Sequence, residues 1–161
     1  MRNSWIFIFP IMIIIAMLYL ILYDETVQEE EQASLNLVQK QAIADLGVLE
    51  PTQNTILKYM NDEAMMKAMR VLFIKHCSEC HGVEGTGVAG SNLCDDNYTF
   101  VKTLPDIFES ISVGNIKKGM TPFAGTLSDT EMILLTSYVA NLRGSNSGGK
   151  FSEGVVIEPW N

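Results

Sequence analysis

Two thiols and an imidazole fall within one pentapeptide, Cys77-Ser78-Glu79-Cys80-His81. Cysteines three residues apart at the end of a helix can both reach the two vinyl groups of one porphyrin. The next residue then sets an imidazole beneath the iron, and C-x-x-C-H reads as a c-type haem attachment site. Cys77 and Cys80 are therefore the candidate attachment residues of one covalent haem c, and His81 its candidate axial ligand. Thioether bonds prevent loss of the cofactor, which matters outside the cytoplasm. Two other chemistries compete. Half a zinc site would need a second pair of ligands, for which only Cys94 and His76 remain. A thioredoxin-type dithiol expects a βαβ context, and none is visible.

An iron held by His81 needs a sixth ligand or stays open to small molecules. Met120, in Gly119-Met120-Thr121-Pro122-Phe123, lies in a loop bracketed by glycine and proline, a context that can aim a thioether inward. Met65, Met66, Met69 and Met132 fall on helix faces, where methionine is ordinary core filling. Met120 is the candidate second axial ligand; His/Met ligation leaves the iron six-coordinate and raises its potential. His76 reads as a surface residue beside the haem site. Cys94 reads as a buried, unreactive thiol, with a partner disulfide as the alternative.

The elements that must hold these groups follow from patterning. Asn61, with Asp62 and Glu63 in the first turn, is expected to cap a helix running through Met65, Met69, Leu72 and Phe73 to about Cys77. A glycine loop, 82–90, follows, then a short helix from Pro105 to Ser112. Ser128 with Glu131 forms a capping box for a last helix whose apolar face carries Met132, Leu135, Val139 and Leu142. No strong strand pattern appears, so the domain, 61–143, is expected to be all-α.

Ahead of it, Ser4 to Tyr23 is twenty residues without a charge. As a helix this spans about 30 Å, the thickness of a bilayer's hydrocarbon core. No small-residue cleavage pattern follows, so 1–23 is expected to be a single uncleaved transmembrane anchor rather than a signal peptide. Residues 24–60 are expected to be an acidic helical stalk. Leu35, Val38, Ala42, Leu46 and Leu49 make its apolar stripe, packed on the chain's own domain or on a partner, and Pro51 punctuates its end. Residues 144–161 are Gly/Ser-rich and read as a flexible tail, or an arm anchored on a partner by Trp160. Arg2 precedes the span, while Asp24, Glu25, Glu29, Glu30 and Glu31 follow it. The N-terminus is thus expected in the cytoplasm and the haem domain in the periplasm of a bacterial inner membrane. Beyond Tyr23 the chain has 19 acidic and 10 basic residues, net −9. Such a charge repels phosphates, so no nucleic-acid partner is expected, and charge-steered protein partners should present basic patches.

Over residues 61–143 the sequence resembles class I cytochromes c, in the order helix, C-x-x-C-H, glycine loop, methionine loop, final helix. Its details are similar to the cytochrome c domains of the third subunit of cbb3-type oxidases. These details are Gly82, Gly85 and Gly87, the run Ser91 to Tyr98, Ile107 with Ile111, Gly114, Gly119-Met120, Tyr138-Val139 with Leu142, and a tail through Pro159-Trp160. The resemblance implies a haem c wrapped by helices, attached at Cys77 and Cys80 with His81 and Met120 axial, and passing electrons to a membrane oxidase. Three departures stand out. Met69 replaces a usual glycine, implying a looser or shifted crossing of the first and last helices near Tyr138. Ser91 replaces a usual proline whose carbonyl holds the proximal histidine, and its own carbonyl is left to accept that bond. One C-x-x-C-H is present where that subunit commonly carries two.

The function expected is single-electron transfer, not enzymatic turnover of a small-molecule substrate, through redox partners in a respiratory membrane complex. The alternatives are a stand-alone anchored shuttle, the cytochrome subunit of another complex such as nitric oxide reductase, and peroxidase or gas chemistry at an open iron. The last would need Met120 absent or displaceable.

Overall fold

The computed structural model describes residues 10–19, 37, 40–145 and 148–160, and the chain divides into two units, 1–45 and 46–161. In the first, residues 10–19 and 40–45 are helical. Ile11 to Ile15, Met17 and Leu18 are all exposed on that first helix. Among the described residues no helix is long and apolar enough to cross a membrane. The anchor expected over 1–23 is thus represented by 10–19 alone, and its remainder lies outside the described residues. The stalk helix is shorter at its end than its stripe implies. It stops at Asp45, so Leu46 stands in a turn and Leu49 in irregular chain. Leu35 and Val38 lie outside the described residues.

The second unit opens with a helix, α1, Gln53–Met60, inside the stretch that reads as stalk. Thr52 caps it by accepting from the Thr55 amide, and Ile56 and Tyr59 are its buried face. Helix α2, Glu63–His76, is capped by Asp62, whose carboxylate accepts from the Met65 amide at 3.0 Å. The expected cap, Asn61, instead closes α1 by donating to the Leu57 carbonyl at 3.1 Å. Both residues suit a cap; the preceding helix claims the first. Helix α3, Leu104–Val113, carries Pro105 in its first turn, where the missing N–H costs nothing. The Asp106 carboxylate accepts from the Lys102 and Thr103 amides, both at 2.8 Å. Burial pushes that carboxyl up, but the two amides, the Thr103 hydroxyl and the Lys102 charge together outweigh it and hold the carboxyl below its ordinary value.

Helix α4, Asp129–Leu142, has its capping box: the Glu131 amide donates to Ser128 Oγ at 3.2 Å, and the Ser128 amide to Glu131 Oε2 at 2.8 Å. It packs against α1, α2 and α3 together. All nine residues from Met132 to Ala140 are therefore buried, not one stripe. The hydroxyls of Thr136 and Ser137, trapped in that core, donate back to the Met132 and Ile133 carbonyls, as buried polar groups must find partners. At the α2–α4 crossing Met69 is fully buried and Phe73 tilts against Tyr138 at 5.3 Å. The flexible thioether is absorbed into the interface.

The tail is an arm laid on its own domain, in place of a free or partner-bound segment. Strand β1, Asn97–Tyr98, pairs antiparallel with β2, Val155–Val156. Trp160 Nε1 donates to the Ala140 carbonyl at 3.2 Å.

Candidate functional site

Helix α2 delivers the thiols. Its last turn ends when the Cys77 amide donates to Phe73 O at 2.8 Å, and a single helical turn, Ser78–His81, follows. The Cys77 carbonyl accepts from both Cys80 and His81 amides, at 3.2 and 2.9 Å. Both sulfurs are therefore one turn apart. Cys77 is half-buried and Cys80 exposed, and neither is bridged. Burial, reinforced by neighbouring Cys80, pushes the Cys77 thiol up to about 11. Among the described residues no group of three or more His, Cys, Asp or Glu side chains could hold a metal ion, so no second pair of zinc ligands stands beside Cys77 and Cys80 there.

His81 is oriented by the glycine loop. Its Nδ1 lies 2.9 Å from the Ser91 carbonyl. A carbonyl can only accept, so Nδ1 carries the proton and Nε2 presents its lone pair. The carbonyl usually supplied by proline is thus supplied by Ser91. The loop folds back on the turn it serves: Gly87 N donates to His81 O at 2.7 Å, and Val88 and Gly90 amides both donate to Cys80 O. Gly90 has no substitute, since a Cβ there would stand 2.8 Å from His81 Cε1. The cradle under the imidazole is open only to glycine.

Met120 is half-buried in the Gly114–Phe123 loop. Asn115 and Met120 exchange backbone hydrogen bonds at 2.8 and 3.0 Å, and Gly119 supplies the left-handed turn at φ 84. A Cβ on Gly114 would meet Met120 O at 2.7 Å. The loop is tied to α3 by the Phe123 amide on Ile111 O at 3.1 Å. It also meets the attachment turn, because the His76 ring, next to Cys77, sits edge-on to Phe123 at 5.9 Å. Burial, then Lys75, lowers the His76 pKa against the pull of Glu131, so the contact is between uncharged rings at neutral pH. Residue types alone leave this bracket and the Gly90 cradle unseen.

Cys94 is fully buried with its thiol on Glu84 O at 3.0 Å, the structural thiol expected. A groove of about 390 Å³ bordered by Asn61, Asp96, Arg143 and Trp160 includes none of the candidate residues.

The donor set fits one haem c: two unbridged thiols a helical turn apart, an imidazole whose Nε2 is the nitrogen left for a metal, and a thioether in a braced loop. Residues 64–139 match the family model described as cytochrome C oxidase, cbb3-type, subunit III. Among solved structures, the chain is similar to cytochrome cL from the marine methylotrophic bacterium Methylophaga aminisulfidivorans. The identity is 34% over 50% of this chain and 55% of that one, with a TM-score of 0.47. The match thus spans about half the length of that protein. No curated protein matches the chain.

Proposed function

We propose that this chain, whose residues 64–139 match that family model, is a class I cytochrome c that carries single electrons in a bacterial respiratory chain as a membrane-anchored subunit of a haem-copper oxidase complex. The haem c, covalent at Cys77 and Cys80, supplies a one-electron iron couple. The observation that carries the proposal is the His81 ring, whose Nδ1 is committed to the Ser91 carbonyl while Nε2 remains for iron. The Ser91 contact fixes ring plane and tautomer before any metal is bound. Met120 would supply its thioether as the second iron ligand, from a loop whose own backbone bonds hold it in place. With His81 and Met120 both held by the iron, the domain would hand electrons on rather than turn over small molecules.

The anchor is supported by residues 10–19, a helix that is apolar all round, as a helix surrounded by lipid would be. Arg2 keeps the N-terminus cytoplasmic and the haem domain periplasmic. The net −9 beyond Tyr23 directs docking to basic surfaces on redox partners.

The test is expression with a c-type maturation system and purification in mild detergent. The expected product is membrane-bound and red, with haem that resists acid extraction, a low-spin reduced spectrum, and no carbon monoxide adduct at neutral pH. A colourless or zinc-loaded product overturns the cytochrome reading. A chain that is always recovered without oxidase subunits overturns the subunit role and leaves an anchored shuttle.

A further inference from the structure

Resting on the reading of His81 as an iron ligand, we infer that the C-terminal arm is a positioning strap for that histidine. By gripping the glycine loop from outside, it fixes the Ser91 carbonyl against His81 Nδ1 and so helps set the iron's reduction potential.

The contacts form an unbroken series. The Lys150 amide donates to the Thr86 carbonyl at 2.9 Å. Gly149 runs so close to the loop, at φ +112, that an added Cβ would collide with the Thr86 carbonyl. Asn92 Nδ2 reaches the Lys150 carbonyl at 3.2 Å and the Gly148 carbonyl at 3.4 Å. The Lys150 ammonium reaches the Ala89 and Gly90 carbonyls at 3.4 and 3.5 Å. Inside the loop, a Cβ on Gly87 would stand 2.9 Å from Asn92 N and 3.0 Å from Lys150 Cβ. Gly90 lies directly under the imidazole, and Ser91 accepts its proton.

The strap is also latched at its far end. The Arg143 side chain, 7% exposed, donates to Asp96 Oδ1 at 2.8 Å, to Glu158 O at 2.7 Å and to Ile157 O at 2.6 Å. Its guanidinium lies 4.7 Å from the Trp160 ring centre. A loop with glycines at 82, 85, 87 and 90 has more backbone freedom to lose than one with other residues at those positions. An external grip removes that freedom where the histidine's partner sits. The hydrogen bond to Nδ1 raises ligand basicity and so favours ferric iron. Loosening the grip weakens that bond, favours ferrous iron and raises the potential.

The test compares full-length holoproteins by redox titration. Gly149→Ala is uncharged and should push the strap off Thr86. The expected change is a rise in midpoint potential equivalent to threefold or more in the reduction equilibrium, at 59 mV per tenfold for one electron. Phe151→Ala, on the same strap but at a side chain 94% exposed, should leave the potential at the wild-type value. An unchanged or lowered potential in folded Gly149→Ala overturns the inference, a lowered one marking water entry instead. If that variant yields no holoprotein, hydrogen exchange in the wild type decides. The Lys150 amide and the His81 Nδ1 proton should open with one free energy, whereas a freely exchanging Lys150 beside a protected His81 refutes the coupling. A wild type lacking a histidine-ligated low-spin haem would instead refute the function proposed above.

Discussion

Tyr98 offers a perturbation whose size can be worked from its surroundings. It lies in β1 beneath the tail, 8% exposed, edge-on to Trp160 at 5.7 Å, with the Arg143 guanidinium 6.0 Å from its ring centre. Its hydroxyl is buried and has no hydrogen-bond partner among the described residues. A buried hydroxyl left unpaired costs about 1–3 kcal/mol. Tyr98→Phe keeps the ring contacts and removes that cost, so the variant should be more stable than wild type by about 1 kcal/mol at pH 7, about 4 °C in Tm for a domain near 100 residues. A second effect appears at alkaline pH. Burial pushes the phenol up to about 12, against the opposing pull of Arg143, with Asp95 and Asp96 adding to the rise. The folded pKa lies above the unfolded value of about 10, so the unfolded chain loses its proton first. Wild-type stability therefore falls as pH climbs from about 10 towards 12, by about 1.4 kcal/mol per unit, and the Phe variant escapes this loss. Guanidinium unfolding of the reduced holoproteins at pH 7 and pH 11 measures both effects. The stability gap should widen by about 1.4 kcal/mol between the two conditions. A variant less stable than wild type at pH 7, or a gap that stays constant with pH, would show that the hydroxyl has a partner or ready access to water.

Met120→Ala should open the iron, turn the ferrous protein into a carbon monoxide binder, and lower the midpoint potential by about 0.1 V or more, a fraction of the ~0.8 V that axial ligands span. An unchanged spectrum and potential would assign the sixth position to another residue. Cys77→Ala combined with Cys80→Ala should abolish covalent haem, read as loss of haem stain on a denaturing gel, and leave the domain largely unfolded by circular dichroism; a well-folded double variant would refute the idea that the haem completes the core. Arg143→Ala removes three donors from a side chain 7% exposed and should destabilise the holoprotein by about 2–4 kcal/mol, charged hydrogen bonds being worth about 1.5–3 each before losses overlap. Limited proteolysis should then cut within 148–160, and an unaltered cleavage pattern would contradict the latch.

The parts of the domain written as local signals were legible from residues alone. The pentapeptide, the Ser128–Glu131 box and the proline start of α3 each depend on neighbours a few positions away. Helix α4 was placed correctly but read as one-sided, because periodicity cannot tell that α1, α2 and α3 will surround it. Helix α1 was missed because eight residues of mixed polarity beside Pro51 look like linker; only packing of Ile56 and Tyr59 on α4 justifies it. The choice between Asn61 and Asp62 as cap depended on whether a helix came just before. The tail misled most. Glycine and serine signal freedom in isolation, yet Gly149 is needed for close approach to Thr86 and Gly154 for passage beside Tyr98, where a Cβ would strike the Tyr98 carbonyl. The Ser91 carbonyl was anticipated only as an acceptor still available after proline was replaced. The His76–Phe123 contact joins residues far apart in sequence, which no local pattern could signal.

The helix on which the others lean follows all three of them along the chain. Until residues 129–142 exist, nothing can enclose α2, and the two thiols at 77 and 80 remain on an open chain. Contacts this distant in sequence form late and slowly. That delay is a window in which both sulfurs stay within reach of a haem and whatever attaches it. Arrival of the final helix then shuts the window, so the order of synthesis itself separates prosthetic-group loading from closure.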